Sequence, residues 1–205
     1  CWPEAPQDIV KFLREKLIVP ADRCFVQTSP LDSACLFRLS GRISSDGHPE
    51  LFYPPARPIQ APHGYDLYRE AHDHDVLIAY PYQSMRPFIR MLLKAGADPN
   101  VVSIKMTLYR LASDSQIVQA LIAAAENGKE VVAMVELRAR FDEQNNIDWS
   151  KQLEEAGCTV FYGFDDYKVH SKLTLITSKV DGKYRYLTQI GTGNYNEKTA
   201  EQYTD

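Results

Sequence analysis

The chain has 205 residues, 44% of them apolar and 24% charged, an ordinary globular composition with enough length for one domain and part of another. A formal net charge of −4 argues against bulk nucleic-acid binding but leaves room for a local basic pocket. No apolar run reaches membrane-spanning length, no signal-peptide pattern stands at the start, and Cys1, Cys24, Cys35 and Cys158 lack metal-ligand spacing, so they read as free thiols in a reducing compartment.

Residues 1–63 are heterogeneous. A short helix is predicted over residues 7–17, where Ile9, Val10, Leu13 and Leu17 form an apolar stripe behind Pro6. VPADRCFVQTSP and ACLFRL read as short strands or turns. The proline-rich run ending at Gly64 reads as a linker. Both ends of the chain, Cys1 and the charged stretch at Asp205, read as cut ends of a larger protein.

From residue 64 onward the pattern repeats. Residues 76–79, 101–106, 131–135 and 159–162 are short apolar or β-branched runs at the spacing of βα units. Three amphipathic helices are expected between them, starting near Ser84, after Ser113 or Asp114, and near Asn146, and stopping at Gly96, Gly128 and Gly157. Two further strands, 168–177 and 184–189, flank Asp181-Gly182, a strong hairpin signal. The expected fold is α/β, a mostly parallel sheet with helices on both faces.

In such sheets the site forms beyond the C-terminal strand ends. Arg110 follows the second expected strand and Arg140 the third, so both can reach one crevice. Guanidinium forks suit phosphate oxygens and stay charged at every physiological pH. In FDDYKVHSKLTLI, a strand over 169–176 would put His170 and Lys172 on one face and let Leu173 and Leu175 anchor the other in the core. After the last strand, GTGN supplies Gly191 and Gly193 for a tight backbone path, and Asn194 can bond an oxygen or orient the histidine. Taken alone, each feature also has a plain reading: a snorkelling lysine, a surface arginine, an ordinary turn. HDHD, with His72 and His74, reads as a solvated helix end. Tyr203 is either a packing residue or a base-stacking platform.

A neutral imidazole beside phosphate-binding cations can attack a phosphoryl group and carry it as phosphohistidine. HSKL followed by GTGN resembles one HxK half-site of the phospholipase D superfamily. More narrowly, DVLIAYPYQS, IKMTLYRLASDSQIVQALIAAAENGKEV, VELRARFDEQNNIDW, KVHSKLTLI and YLTQIGTGNYNEKTAEQYTD resemble the bacterial polyphosphate kinases over roughly residues 65–205. That resemblance implies reversible transfer of the ATP terminal phosphate to polyphosphate, with Mg²⁺, ATP and ADP, in a phospholipase D-like catalytic domain over residues 64–205. Residues 1–63 would then be the tail of the preceding domain.

Position by position, the resemblance makes His170 the phosphorylated histidine and Lys172 its catalytic partner. Arg110 and Arg140 match the family's Mg²⁺ and phosphate site, Asn194 joins the phosphate contacts, and Tyr203 matches a nucleotide contact. Since arginine has no acceptor atom, both arginines read as phosphate clamps beside the metal. Thr177 stands where the broader superfamily has an aspartate, as in the kinase branch. Only one HxK is present. The resemblance therefore places a second histidine site in the remainder of the same polypeptide and makes the isolated chain inactive. It also implies a homo-oligomer, cytoplasmic or peripherally membrane-associated, with no DNA or RNA partner. The rival expectations are a phospholipase D-like phosphodiesterase or nuclease, pairing two copies of His170, and a non-catalytic polyanion-binding domain.

Overall fold

The computed structural model describes residues 3–29, 32–54, 57–139, 142–164 and 166–202. Contacts divide the chain into two compact units, Cys1–Ala56 and Arg57–Asp205. In the first, α1 (Gln7–Lys16) forms where the apolar stripe lies. ACLFRL is not a strand or turn but the start of a second helix, α2 (Cys35–Ser45). Its Leu36, Leu39 and Ile43 recur three and four apart, a helical period that outweighs the local mix of residues. No residue of either helix is buried.

The second unit opens with α3 (Leu67–Asp73) and α4 (Arg86–Ala97). HDHD does close a helix: His72 Nδ1 lies 2.7 Å from the Tyr68 carbonyl, and His74 faces Glu70. Residues 76–79 form no strand, contrary to expectation. The Gln83 side chain accepts the Ala79 N–H at 2.8 Å, closing a local turn in place of a ladder. The remaining elements are β1 (Val101–Leu108), α5 (Gln116–Glu126), β2 (Glu130–Val135), α6 (Glu143–Glu155), β3 (Thr159–Tyr162), β4 (Lys172–Val180) and β5 (Lys183–Gly191). Ser115 caps α5, its hydroxyl accepting the Val118 N–H.

The sheet order is β3-β2-β1-β4-β5. β1, β2 and β3 run parallel through the α5 and α6 crossovers, but β4 runs antiparallel to both β1 and β5. The sheet is therefore mixed, not mostly parallel. The physical reason lies in the connections: the described residues between β3 and β4 form no helix, and a parallel return needs a long crossover. At the other end of β4, Asp181 and Gly182 take φ of 51° and 76° and close the expected hairpin.

Burial along the strands alternates, and this too departs from the expected two-sided cover. Ile104, Met106 and Leu108 of β1, Val131, Ala133 and Val135 of β2, and Ile176 of β4 pack against Phe88, Leu92, Ile117, Leu121, Trp149 and Leu153 from α4, α5 and α6. On the other face Val132 and Met134 are half-buried, and Phe161, Leu173, Tyr186 and Ile190 are exposed. Among the described residues, helices cover one face. There α4 and α5 approach closely at Gly96, where a Cβ would stand 3.0 Å from that of Ala124. No helix of the described residues is long and apolar enough to cross a membrane.

Candidate functional site

Because β4 runs against β1, its beginning, not its end, lies beside the C-terminal ends of β1 and β2. Met106 pairs with Thr174, so Lys172 stands next to the residues that follow β1. The strand starts at Lys172, leaving His170 in the preceding loop. The facing of β4 is also the reverse of the alternation expected: Lys172, Thr174 and Ile176 point into the core side, while Leu173 is 39% exposed. Lys172 is buried to 2% exposure because its ammonium is satisfied, donating to the His170 carbonyl.

Tyr109 is the meeting point. Its ring meets the exposed His170 imidazole nearly edge-on, with centroids 4.8 Å apart at 75°. Lys172 Nζ lies 4.9 Å from the same ring, Lys168 Nζ 5.3 Å and Arg110 Cζ 6.0 Å. Three cations and the imidazole thus surround one aromatic ring, whose negative faces offset part of their mutual repulsion. Desolvation holds the His170 pKa below its usual 6.5, and the charges of Lys172, Lys168 and Arg110 press it further the same way. The imidazole is accordingly kept neutral at pH 7 and has a lone pair to offer. Arg110 Nε also lies 3.3 Å from Asp142 Oδ2, a partly exposed pair that steadies the guanidinium at the site's rim.

The supporting contacts come from polar groups on α6, β1 and the end of β2. Asn146 of α6, fully buried, donates from Nδ2 to the carbonyls of Tyr109 at 2.7 Å and Glu136 at 3.0 Å, tying the ends of β1 and β2 together. Trp149 Nε1 and Asn145 Nδ2 hold the Ala112 and Leu111 carbonyls, fixing the loop after Arg110. Thr107 Oγ1 donates to the Ser171 carbonyl at 2.7 Å and accepts the Leu173 N–H at 2.9 Å, bridging β1 to the entry of β4. The Glu136 carboxylate, 3% exposed, accepts the N–H groups of Arg138 at 2.8 Å and Val169 at 2.9 Å.

The structure thus gathers His170, Lys172 and Arg110 at one edge of the sheet. Asn194 follows β5, whose last residue, Gly191, pairs with Lys172. The GTGN segment is anchored by Tyr195, which stacks on Phe88 at 5.3 Å and whose hydroxyl binds Thr174 and Gln189. Arg140 and Tyr203 lie outside the described residues. After Asn194 the described residues form a 3-10 turn, Thr199–Glu201. Before it, Glu197 reaches across to accept the Ile117 N–H at the start of α5. Sequence reasoning passed over Tyr109 and Lys168. Both flank residues it did select, and an aromatic directly before a strand-end arginine was the available signal.

The sequence pattern of the family described as polyphosphate kinase C-terminal domain 1 matches residues 66–205. The polyphosphate kinase of Bacillus anthracis is 44% identical over 200 residues, 96% of this chain and 28% of that protein. That of Pseudomonas aeruginosa is 40% identical over 203 residues, 98% of this chain and 29% of that one. The crystal structure of polyphosphate kinase from Porphyromonas gingivalis superimposes with a TM-score of 0.68 at 30% identity, covering 97% of this chain and 31% of that one. The chain spans less than a third of the length of these relatives.

Proposed function

The chain belongs to the polyphosphate kinase family, and we propose that in the full-length protein it carries the histidine that takes the terminal phosphate from ATP and passes it to polyphosphate. The observation that carries this reading is the exposed, neutral His170 imidazole held among Lys172, Lys168 and Arg110 around the Tyr109 ring. In the first step an imidazole nitrogen attacks the γ-phosphorus. The N–P bond forms as the P–O bond to ADP breaks, and the electron pair leaves on the β-phosphate oxygen. In the second, a terminal oxygen of polyphosphate attacks the same phosphorus, the N–P bond breaks, and the imidazole regains its lone pair with the polymer one unit longer. Both steps are reversible.

The protein's part is mainly electrostatic. The cations around the ring offset charge on the equatorial phosphoryl oxygens, and burial of Lys172 strengthens its effect. Arg140 and Asn194 add phosphate contacts in this reading, and Tyr203 contacts the nucleotide. Among the described residues no group of three His, Cys, Asp or Glu side chains could hold a metal, and arginine has no acceptor atom, so Arg110 does not fit Mg²⁺ as a direct ligand. We read Mg²⁺ as arriving with ATP. The phospholipase D-like layout belongs to the same proposal, with the complementary half-site in the rest of the polypeptide and the isolated chain inactive.

The test is labelling of the full-length enzyme with γ-labelled ATP. Acid-labile, alkali-stable label on the wild type and none on His170→Ala is the expected result. Label at the wild-type level on His170→Ala would place the nucleophile elsewhere.

A further inference from the structure

The loop that presents His170 is closed at its neck by one buried side chain. Gly163 leaves β3 against the Glu136 carboxylate, where a Cβ on the glycine would stand 3.5 Å from Oε2. Six residues later the chain returns to the same group, and Val169 N–H donates to Oε2 at 2.9 Å. The other oxygen accepts the Arg138 N–H at 2.8 Å. The main chain of Glu136 is equally committed: its N–H donates to the Leu108 carbonyl at 2.9 Å, and its carbonyl accepts Asn146 Nδ2. One residue thereby joins the end of β1, helix α6 and the peptide directly before His170.

We propose that Glu136 is a positioning residue that sets where the His170 imidazole stands relative to a bound phosphoryl group. The inference rests on the phosphohistidine reading above. Two features point to positioning over simple support. The carboxylate is buried yet meets main-chain donors at both oxygens, an arrangement that needs two acceptors and fixes a direction. It also acts on the residue adjacent to the nucleophile without touching the ring. A glutamine of the same shape offers one acceptor and turns an amide NH₂ toward the other N–H. Glu136→Gln should therefore free one anchor while leaving the packing in place.

The experiment is single-turnover labelling of His170 by γ-labelled ATP in the full-length enzyme, comparing wild type, Glu136→Gln and Glu136→Asp. The expected result for Glu136→Gln is full labelling amplitude reached about a hundredfold more slowly, the scale of a small misplacement of a reacting group. The ATP concentration for half-maximal rate should stay within about threefold, since uniform binding is untouched. Val169 amide exchange should be faster in the same variant. Glu136→Asp keeps both acceptors one methylene short and should fall between the two, which also serves if Glu136→Gln does not fold. A wild-type rate constant in both variants, with or without reduced amplitude, would overturn the positioning role. Absence of label from wild-type His170 would instead remove the functional reading, and this proposal with it.

Discussion

The rings of Tyr109 and His170 stand 4.8 Å apart at 75°, and the ammonium of Lys172 lies 4.9 Å from the same tyrosine ring. One aromatic thus contacts both members of the HxK pair from the segment that follows β1. Edge-to-face ring pairs contribute about 0.5–1.5 kcal/mol, and each cation over a ring about 0.5–1 kcal/mol where partly exposed. Tyr109→Phe keeps the ring and should label His170 within about threefold of wild type. Tyr109→Leu removes the ring and should slow labelling roughly tenfold, as about 1.4 kcal/mol corresponds to one decade. Single-turnover rates of the full-length enzyme check both.

A second prediction concerns protonation. The folded His170 pKa lies below 6.5, so near and below that pH the unfolded chain binds the proton more readily. Protonation therefore penalises folding: the penalty is absent well above pH 6.5, grows as pH falls through it, and is complete below the folded pKa. An NMR titration of the His170 ring should give a midpoint below 6.5. Lys168→Gln removes one contributing charge and should move that midpoint upward; an unmoved midpoint would mean that Lys168 does not act on the imidazole.

Arg110→Ala should leave His170 able to accept phosphate but weaken charge stabilisation. Loss of one such donor costs about 3 kcal/mol, or about a hundredfold in kcat. Arg110→Lys should recover only part of this, because the planar fork is gone. Steady-state kinetics of the full-length enzyme provide the check.

Asn146→Leu tests the scaffold. It leaves the buried carbonyls of Tyr109 and Glu136 without their Asn146 donor, at about 1–3 kcal/mol for each group left unsatisfied. Urea unfolding of this chain should show a lower midpoint with an unchanged slope.

The parallel half of the sheet was legible in the residues, because β1, β2 and β3 alternate at βα spacing with helices that stop near Gly96, Gly128 and Gly157. The hairpin was legible too, since Asp181-Gly182 demands positive φ. The insertion of β4 beside β1 was not: strand order depends on which edge is free, which no local pattern records. The facing of β4 misled for a different reason. Lysine at position 172 reads as a solvent-seeking residue, yet the His170 carbonyl and the Tyr109 ring satisfy it in the interior. Those partners lie on two separate segments, so their meeting is a tertiary fact. His170, Lys172 and Arg110 could be picked out by chemistry alone. Glu136 could not, because its partner is a main-chain N–H 33 residues away.

The antiparallel pairing of β4 with β1 has a consequence for how the protein is made. Thr107 meets Ser171 across a gap of 64 residues, whereas β1, β2 and β3 pair with one another through the shorter α5 and α6 crossovers. On a ribosome the Tyr109–Arg110 edge emerges early and stays without its histidine until the β4–β5 hairpin has cleared the exit tunnel. Closure of that long loop is slow relative to the local βα contacts before it. The cluster of His170, Lys172, Lys168 and Arg110 around Tyr109 is thus completed only after the parallel strands beside it.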